Sequence, residues 1–176
     1  TITARFTSAG AVSWATVVEK GSNQASDIAV RGTQVAITGG GLNYVTVGSL
    51  SVTDAQFQHV FVASLDVATG APNWLNVIGG HTARDEAGAF PGGIDIDGAG
   101  NIVAAGSYSI GCSYCGQTPL NLGGAALENV IRNSRDLFLA KFRGSDGAHL
   151  FSRGYGGLGE DNVRDAEATS NGDIVI

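Results

Sequence analysis

Methionine is absent from this chain of 176 residues, and proline and charged residues are scarce. Three prolines are too few for a collagen-like chain or a proline-rich linker. Charged residues make up 15% of the chain and hydrophobic residues 43%, a balance that argues against intrinsic disorder. No apolar run approaches the ~18 residues that a membrane-spanning helix needs, so no transmembrane segment is expected. The lack of an initiating methionine and the strand-like segments at both ends predict a processed product or a piece of a longer chain.

Basic residues are scarce as well. Ten Lys and Arg residues stand against sixteen Asp and Glu, which leaves a net charge of −6, and only Lys20 and Lys141 are lysines. Nucleic-acid binding relies on clustered basic charge that displaces counterions, so a nucleic-acid partner is not expected. At 176 residues the chain has about the length of one domain, which is enough to bury a real core.

Glycine, in contrast, is abundant: its 27 residues are roughly twice the average share. Many of them belong to a repeated pattern of an alternating apolar strand, a polar turn that ends in glycine, and an aromatic residue four positions later. The three copies of this pattern begin at Thr1, Val60 and Leu137. Their turn glycines are Gly10, Gly70 and Gly147, and their aromatic residues are Trp14, Trp74 and Phe151.

A second set of segments follows the first in register. Each member is a pair of short strands joined by a turn of residues that tolerate positive φ, namely RGTQ, DGAGN or TSNGD. The members begin at Ser26, Gly92 and Val163. Each full copy therefore contains four short strands, which we label a, b, c and d. Along the chain the order is c-d, a-b-c-d, a-b-c-d, a-b, which makes twelve strands and places the repeats at about 1–56, 57–135 and 136–176.

Short strands at steady spacing with glycine-rich turns are typical of a sandwich, a barrel or a propeller. The aromatic residue that recurs in strand d favours a propeller, because each four-stranded blade of that fold packs its face on the next blade. We therefore predict an all-β fold, a β-propeller arc of about three four-stranded antiparallel blades, with a β-solenoid or a sandwich as the alternative. Residues 1–176 then form a single region of a longer propeller, with Trp14, Trp74 and Phe151 as its inter-blade core.

The copies also resemble a known family. The carriers are DLFLAKFRGSDGAHLFSRGYGGLGEDNVRDAEATSNGDIVI at 136–176, and VFVASLDVATGAPNWLNVIGG with GIDIDGAGNIVAAGSYS in the copy before it. These residues are similar to the SBBP repeat, a bacterial β-propeller repeat of secreted myxobacterial proteins, and LNLGGAAL at 120–127 is similar to its linker. The resemblance implies a β-propeller from a secreted or cell-surface protein. It implies no catalytic motif and no site residue, and propellers host many unrelated activities.

Cys112 and Cys115 form a C-x-x-C motif, which could be half of a zinc site, a redox pair or a local disulfide. A structural zinc site needs four ligands, and none of the histidines, His59, His81 and His149, stands at partner spacing. A thioredoxin-like pair stands at a helix start, whereas this one lies in a glycine-flanked loop between strands b and c. We predict a small disulfide that staples an inserted loop, with reduced bystander cysteines, metal binding and redox chemistry as the alternatives.

Two acidic pairs, Asp85–Glu86 and Glu160–Asp161, follow strand d in successive copies and are expected on the same rim. Carboxylates in that position could bind Ca²⁺, which takes six to eight oxygen ligands. The alternative, which we expect, is that they accept backbone N–H groups of the turn between strands d and a or stay solvated. No cofactor is then required.

Two further motifs resemble functional sites superficially. The stretch DIDGAGN at 95–101 is similar to the start of an EF-hand loop, but Ala99 and Gly106 stand where such a loop carries acidic residues. We predict a hairpin turn there. His81 and Asp85 with a nearby Ser or Thr would suggest a nucleophilic triad, but no GxSxG motif is present and closeness in sequence does not create triad geometry. All three histidines are therefore interpreted as structural or polar loop residues.

The copies diverge in length at Ser107–Asp136 and Gly79–Gly93. Insertions on a regular scaffold vary in loops, where binding residues are often found. We predict a non-catalytic secreted or cell-surface scaffold that binds a protein or a glycan through these rim loops. The first alternative is an extracellular assembly subunit whose chains self-associate through incomplete terminal blades. The second is a propeller enzyme acting on glycans, which would need acids and histidines that converge near the axis.

Overall fold

The computed structural model describes residues 1–19, 24–53, 59–79, 88–110, 119–130 and 134–176, and these residues form fourteen strands and no helix. The prediction of an all-β chain is therefore confirmed. The strands are β1 (Ile2–Phe6), β2 (Val12–Glu19), β3 (Gln24–Arg31), β4 (Gln34–Gly41), β5 (Val45–Val47), β6 (Leu50–Val52), β7 (His59–Asp66), β8 (Pro72–Ile78), β9 (Gly88–Ile96), β10 (Ile102–Ser109), β11 (Asp136–Phe142), β12 (His149–Tyr155), β13 (Glu167–Ala168) and β14 (Ile174–Val175).

The strand order predicted for each copy is confirmed. The second sheet has the order β3-β4-β7-β8 and the third sheet β9-β10-β11-β12, so both are antiparallel a-b-c-d units. The pair β1–β2 is a c-d unit within the first sheet, and β13–β14 forms an a-b unit, the C-terminal hairpin. Glycine supports the tight turns: Gly10, Gly70 and Gly147 all have positive φ, which residues with a Cβ rarely adopt.

The predicted count of twelve strands is wrong because a short hairpin, β5–β6, lies between strands b and c of the second sheet. It completes the first sheet in the order β1-β2-β5-β6, with Val47 opposite Val18 of β2. The apolar side chains of VTVGSLSV alternate, and Val45 and Val47 are fully buried. Three-residue strands are too short for periodicity to distinguish them from a loop.

The third sheet carries a counterpart of this hairpin. Leu120 and Leu127 form an isolated antiparallel bridge, with the same seven-residue separation as the paired Val45 and Val52. Both leucines are buried, as Val45 is. The extra length between strands b and c is thus a feature of both complete copies.

The antiparallel order divides the connections between two ends of the sheets. Turns between a and b and between c and d lie at one end, the turn end. Connections from b to c and from d to the next a lie at the other, the connection end. Both segments whose length varies, 79–93 and 107–136, therefore join strands at the connection end.

Among the described residues, the core consists of three apolar clusters, each between successive units. One lies between the first and second sheets, one between the second and third sheets, and one between the third sheet and the C-terminal hairpin. Each cluster contains or contacts one recurring aromatic residue: Trp14, Trp74 and Phe151 in that order. Trp74 is 6% exposed, and the other two are half-buried.

The two tryptophans make equivalent contacts with the sheet that follows. Trp14 Nε1 donates a hydrogen bond to the Val67 carbonyl at 2.9 Å, and Trp74 Nε1 donates to the Gly144 carbonyl at 2.8 Å. Val67 and Gly144 hold the same place in the c-d turns of the second and third sheets. In both cases, an indole N–H on strand d of one sheet is therefore hydrogen-bonded to the c-d turn of the next sheet.

A second hydrogen bond repeats beside each tryptophan. Thr16 Oγ1 donates to the Gly70 carbonyl at 2.6 Å, and Asn76 Nδ2 donates to the Gly147 carbonyl at 2.7 Å. Both donors stand two residues after the tryptophan, and both acceptors are turn glycines. The pattern Trp-x-Thr/Asn is thus a sheet-to-sheet contact motif.

Aspartates connect the a strands of successive units. Asp27 Oδ2 accepts the N–H of Ile94 at 2.8 Å, and Asp95 Oδ2 accepts the N–H of Ala168 at 2.7 Å. The backbones approach closely there: a Cβ at Gly93 would collide with the backbone of Asp165 and Ala166, directly before β13. Strands of type a therefore lie side by side across the sheet boundaries.

Candidate functional site

The described flanks of both variable segments line a cavity of about 560 Å³ at the connection end, which we call the rim pocket. Its walls come from β3, from the flanks of both variable segments and from the connection after β12. The lining residues are Ser26, Phe90, Pro91, Gly92, Ser107, Arg135, Asn162, Val163 and Arg164. A second cavity of about 380 Å³ shares Ser26 and Pro91 with it. The two cavities therefore adjoin one another along this end.

Arg135 is the most firmly placed charged side chain of the rim pocket. Its guanidinium carbon lies 4.1 Å from the centre of the Phe90 ring, a cation–π contact, and its Nη1 donates to Asn162 Oδ1 at 3.3 Å. Its Nε is 3.8 Å from Glu160 Oε2, in a pair whose side chains are 39% and 59% exposed. Such an exposed pair is weak. The guanidinium is therefore oriented by its neighbours but stays accessible to a ligand.

The connection after β12 is tied to Ser134 and Arg135, the two residues before β11. Asp161 N donates to the Arg135 carbonyl at 2.8 Å, and Ser134 Oγ donates to the Gly159 carbonyl. Asp161 Oδ2 also accepts the N–H of Gly157 at 3.1 Å, which closes the turn. The wall that contains Asn162 and Arg164 is thus held in place by hydrogen bonds.

The described lining of the rim pocket offers hydrogen-bonding groups, positive charge and an aromatic ring. Among its described lining residues the charged ones are Arg135 and Arg164, accompanied by two serine hydroxyls, one amide and the Phe90 ring. Arg164 is exposed and takes part in none of the ion pairs of the described chain. Guanidinium groups bind carboxylates and other oxygen-rich groups through several N–H donors. These lining residues include no carboxylate, imidazole or thiol for acid–base or nucleophilic chemistry.

The predicted acidic pair after β12 lies beside the rim pocket. Glu160 faces Arg135, and Asp161 accepts the turn N–H described above, so the two carboxylates serve different neighbours. The other pair, Asp85–Glu86, lies outside the described residues, as do His81, Cys112 and Cys115. The predicted disulfide therefore stays a prediction. Within the described ranges, no group of three or more His, Cys, Asp or Glu side chains is placed to hold a metal ion.

The remaining histidines lie apart from the rim pocket. His59 is buried at the start of β7 and lines the adjoining cavity. His149 begins β12, places Nε2 3.1 Å from Ser152 Oγ, and lines a different cavity of about 410 Å³. Neither histidine is among the described residues that line the rim pocket.

The stretch 95–101 forms the a-b turn of the third sheet, as expected from the copies. Asp97 Oδ1 accepts the N–H groups of Ala99 and Asn101 at 2.8 Å, and Asp97 Oδ2 lies 2.5 Å from Lys141 Nζ. Burial raises the pKa of Asp97, but the hydrogen bonds from Lys141, Asn101 and Ala99 outweigh it, and the pKa is about 2. The carboxylate therefore stabilises the turn and is already neutralised by a lysine.

Sequence reasoning missed Arg135 and Phe90 as partners. They stand at the ends of the two variable segments, 45 residues apart in number, and no repeat spacing relates them. The one available signal was their place: each lies within a segment whose length differs between copies.

No family model matches the chain, and no curated protein matches it. The structure, over the ranges that it describes, contains no helix long and apolar enough to cross a membrane.

Proposed function

We propose that the chain is an arc of a bacterial β-propeller with SBBP-like repeats, from a secreted or cell-surface protein. Three observations support this. The apolar clusters lie between successive antiparallel units. The tryptophans of two successive sheets make the same contacts with the next sheet. Strands of type a adjoin each other, as the innermost strands of propeller blades do.

The proposed function is non-catalytic binding of a protein or a glycan at the rim pocket. The observation that carries it is the placement of Arg135, stacked on Phe90 and bonded to Asn162, where the flanks of both variable segments meet. A preoriented guanidinium loses little conformational entropy on binding, and the neighbouring hydroxyl and amide groups suit hydroxyl or carboxylate groups of a ligand.

A panel of immobilised glycans and extracellular proteins tests this function. The wild-type chain and the variants Arg135→Ala and Arg143→Ala are compared on every ligand that the wild type binds. Arg143 is the matched control, because it is an exposed arginine paired with Asp146 at the turn end. We expect Arg135→Ala to weaken binding by about tenfold or more, as the loss of a central arginine commonly does, and Arg143→Ala to bind normally.

Two results contradict the proposal. One is unchanged binding of every ligand by an Arg135→Ala variant that keeps the wild-type unfolding temperature. The other is turnover of a bound glycan by the wild-type chain, which would favour the alternative of a propeller enzyme acting on glycans.

Assembly through terminal strands is the second candidate function. Within the described chain, the outer edges of β1 and β14 have no strand partner, and Phe6 and Val175 are 61% and 63% exposed. In the two complete sheets, Val35 of strand b pairs with Leu65 of strand c, and Ile102 of strand b pairs with Phe142 of strand c. Ile174 and Phe6 hold the same positions in a strand b and a strand c, so a b-c pairing of the terminal strands would place them opposite one another. The covering strand belongs either to further polypeptide of the same chain or to a second copy.

Light scattering at two protein concentrations tests the assembly. A mass that rises with concentration, and falls back when Phe6 is replaced by Lys, supports pairing between copies. A strict monomer at both concentrations contradicts it, and leaves the binding function untouched.

A further inference from the structure

A second polar cavity lies at the turn end, the opposite end of the sheets from the rim pocket. It has a volume of about 380 Å³, and we call it the turn-end cavity. Its walls come from turns and adjoining strand ends of two sheets, with Gln34, Asp66 and Asn73 from the second sheet and Gly144 and Ser145 from the third. The a-b and c-d turns of both sheets belong to the described ranges, so every side chain that they contribute is placed.

Asp66 supplies a carboxylate of which only one oxygen is used by the fold. Its Oδ1 accepts the Thr69 hydroxyl at 2.8 Å and the N–H groups of Thr69 and Ala68 at 2.8 and 3.0 Å. These hydrogen bonds, led by that of the Thr69 hydroxyl, hold the pKa of Asp66 below its ordinary value, so the side chain is charged at neutral pH. Within the described chain, Oδ2 accepts no hydrogen bond and Asp66 belongs to no ion pair. The carboxylate is therefore oriented by its own turn and keeps one oxygen for a ligand.

Two amide side chains of the turn-end cavity are anchored on the same buried hydroxyl. Gln34 Nε2 donates to Ser64 Oγ at 3.0 Å and to the Gly144 carbonyl at 2.8 Å, and Asn73 Nδ2 donates to Ser64 Oγ at 3.3 Å. Because a carbonyl only accepts hydrogen bonds, the contact with Gly144 fixes which atom of the Gln34 amide is the nitrogen. Both amide nitrogens are thus bonded to the protein, and the amide oxygens of Gln34 and Asn73 are the acceptors that remain.

These polar residues do not repeat with the sheets. In the register of the third sheet, Arg143 and Leu150 stand where Asp66 and Asn73 stand in the second. A residue that every sheet needs for its own folding should recur in every copy. Differences between copies of a regular scaffold, in contrast, are where an individual binding function resides.

We propose that the turn-end cavity binds a ligand through a primary ammonium group. An ammonium group has three N–H donors and no acceptor, which matches one carboxylate oxygen of Asp66 and the amide oxygens of Gln34 and Asn73. The described lining includes no basic side chain, and the net charge of −6 attracts cations at longer range. The Ser145 hydroxyl at the edge of the turn-end cavity is available to the rest of the ligand. The ammonium group can come from a lysine side chain of a protein or from an amino sugar, which share this chemistry.

Amine probes and their acetylated forms test the site. Nα-acetyl-lysine amide and glucosamine carry the ammonium group, whereas Nα,Nε-diacetyl-lysine amide and N-acetylglucosamine have lost its charge. In NMR titrations of the isotope-labelled chain, at least one ammonium probe should saturate with a Kd of about 1 mM or tighter, and its acetylated form should bind about tenfold more weakly or not at all. The tighter of the two ammonium probes identifies the source of the ligand. If neither ammonium probe saturates up to about 10 mM, or the acetylated forms bind equally well, the proposal is overturned.

Two matched aspartate variants separate the site from the overall charge. Asp66→Asn keeps an acceptor for the turn N–H groups but removes the charge, and should weaken ammonium binding by about tenfold. Asp146→Asn is the control: Asp146 lies in the next c-d turn and also accepts a turn N–H, that of Ala148, but its second oxygen is already paired with Arg143. This variant should bind as the wild type does. Unchanged binding by Asp66→Asn, or an equal loss in both variants, refutes the site.

A gain of affinity provides a test that does not depend on the folding of Asp66→Asn. Ser145 is exposed and makes no side-chain hydrogen bond within the described chain, so Ser145→Asp should fold normally. The added carboxylate should tighten ammonium binding about threefold and leave the acetylated probes unchanged. Equal or weaker ammonium binding by this variant contradicts the proposal.

The same titrations locate the ligand and keep this proposal separate from the binding function of the rim pocket. The amide signals of Gly100 and Gly144, which line the turn-end cavity, should shift with the ammonium probes. The signals of Asn162 and Arg164 at the rim pocket should not. Shifts confined to Asn162 and Arg164 would contradict the turn-end site while leaving the rim pocket as a binding site.

Discussion

At the scale of single residues, the pair Asp97–Lys141 shows how a repeated turn acquires an individual stabilising contact. The carboxylate and the ammonium lie 2.5 Å apart with side chains that are 3% and 15% exposed. The same carboxylate accepts two backbone N–H groups, so nearly all of its hydrogen-bonding capacity is used. The pair connects the a-b turn to strand c of the same sheet, and the corresponding turn of the C-terminal hairpin has Thr169 instead.

The stability that Asp97 contributes should depend on pH. Its pKa in the folded chain is about 2, below the ordinary 3.8, so the unfolded chain takes up the proton first as the pH falls. The contribution of about 2 kcal/mol is therefore present above pH 4 and is lost as the pH falls through 2. Urea unfolding between pH 7 and pH 2 measures the difference in free energy of unfolding between the wild type and Asp97→Asn, and this difference should shrink toward pH 2. A difference of constant size would refute this assignment.

At the scale of strands and turns, the sheets are joined by the indole N–H groups. Trp74→Phe should lower the free energy of unfolding by about 1–2 kcal/mol, because one hydrogen bond and part of a buried ring are lost. Trp14→Phe should cost less, since Trp14 is only half-buried. Denaturant unfolding of the two variants measures both values. Equal stability of Trp74→Phe and the wild type would show that the repeated contact is incidental.

Glycines in the b strands permit a close approach that repeats in both complete sheets. A Cβ at Gly39 would collide with the Gln24 carbonyl and the Phe61 ring, and one at Gly106 with the Phe90 carbonyl and the Phe138 ring. Gly106→Ala should therefore cost about 1–3 kcal/mol or more through overpacking. Gly157→Ala, with open space around its Cβ, should change stability by less than about 0.5 kcal/mol. Thermal unfolding compares the pair, and equal effects would contradict this packing.

At the scale of the whole molecule, the two ends of the sheets differ in their tolerance of change. The c-d turns are short, but their carbonyl groups accept hydrogen bonds from the preceding sheet: Gly144 from Trp74 and Gln34, and Gly147 from Asn76. The connections at the other end vary in length between the copies. Stability should thus depend more on the turns than on the connections.

An insertion experiment measures this difference. Gly-Ser-Gly placed after Ser145 should lower the unfolding temperature by several degrees, because it displaces a turn that three side chains hold. The same insertion after Leu158, which is 86% exposed, should change it little, since lengthening a flexible loop costs little entropy. Similar losses at both positions would contradict the division into two ends.

The sequence by itself determined the type and order of the strands. Alternating apolar residues, turn glycines and the recurring Trp14, Trp74 and Phe151 are local signals that repeat with the sheets, so the a-b-c-d order and the place of each aromatic could be predicted. The hairpin β5–β6 could not, because its three-residue strands become strands only by pairing with β2.

Only the tertiary structure decided which side chains meet. Arg135 contacts Phe90, and Lys141 pairs with Asp97, because strand pairing in the third sheet brings residues that are distant in sequence to the same end of the sheet. Each contact depends on how connections of different length bring their strands back into one sheet. The spacing of residues in the sequence does not predict which side chains then meet. The repeats therefore specify the scaffold, whereas the contacts between repeats specify the candidate sites.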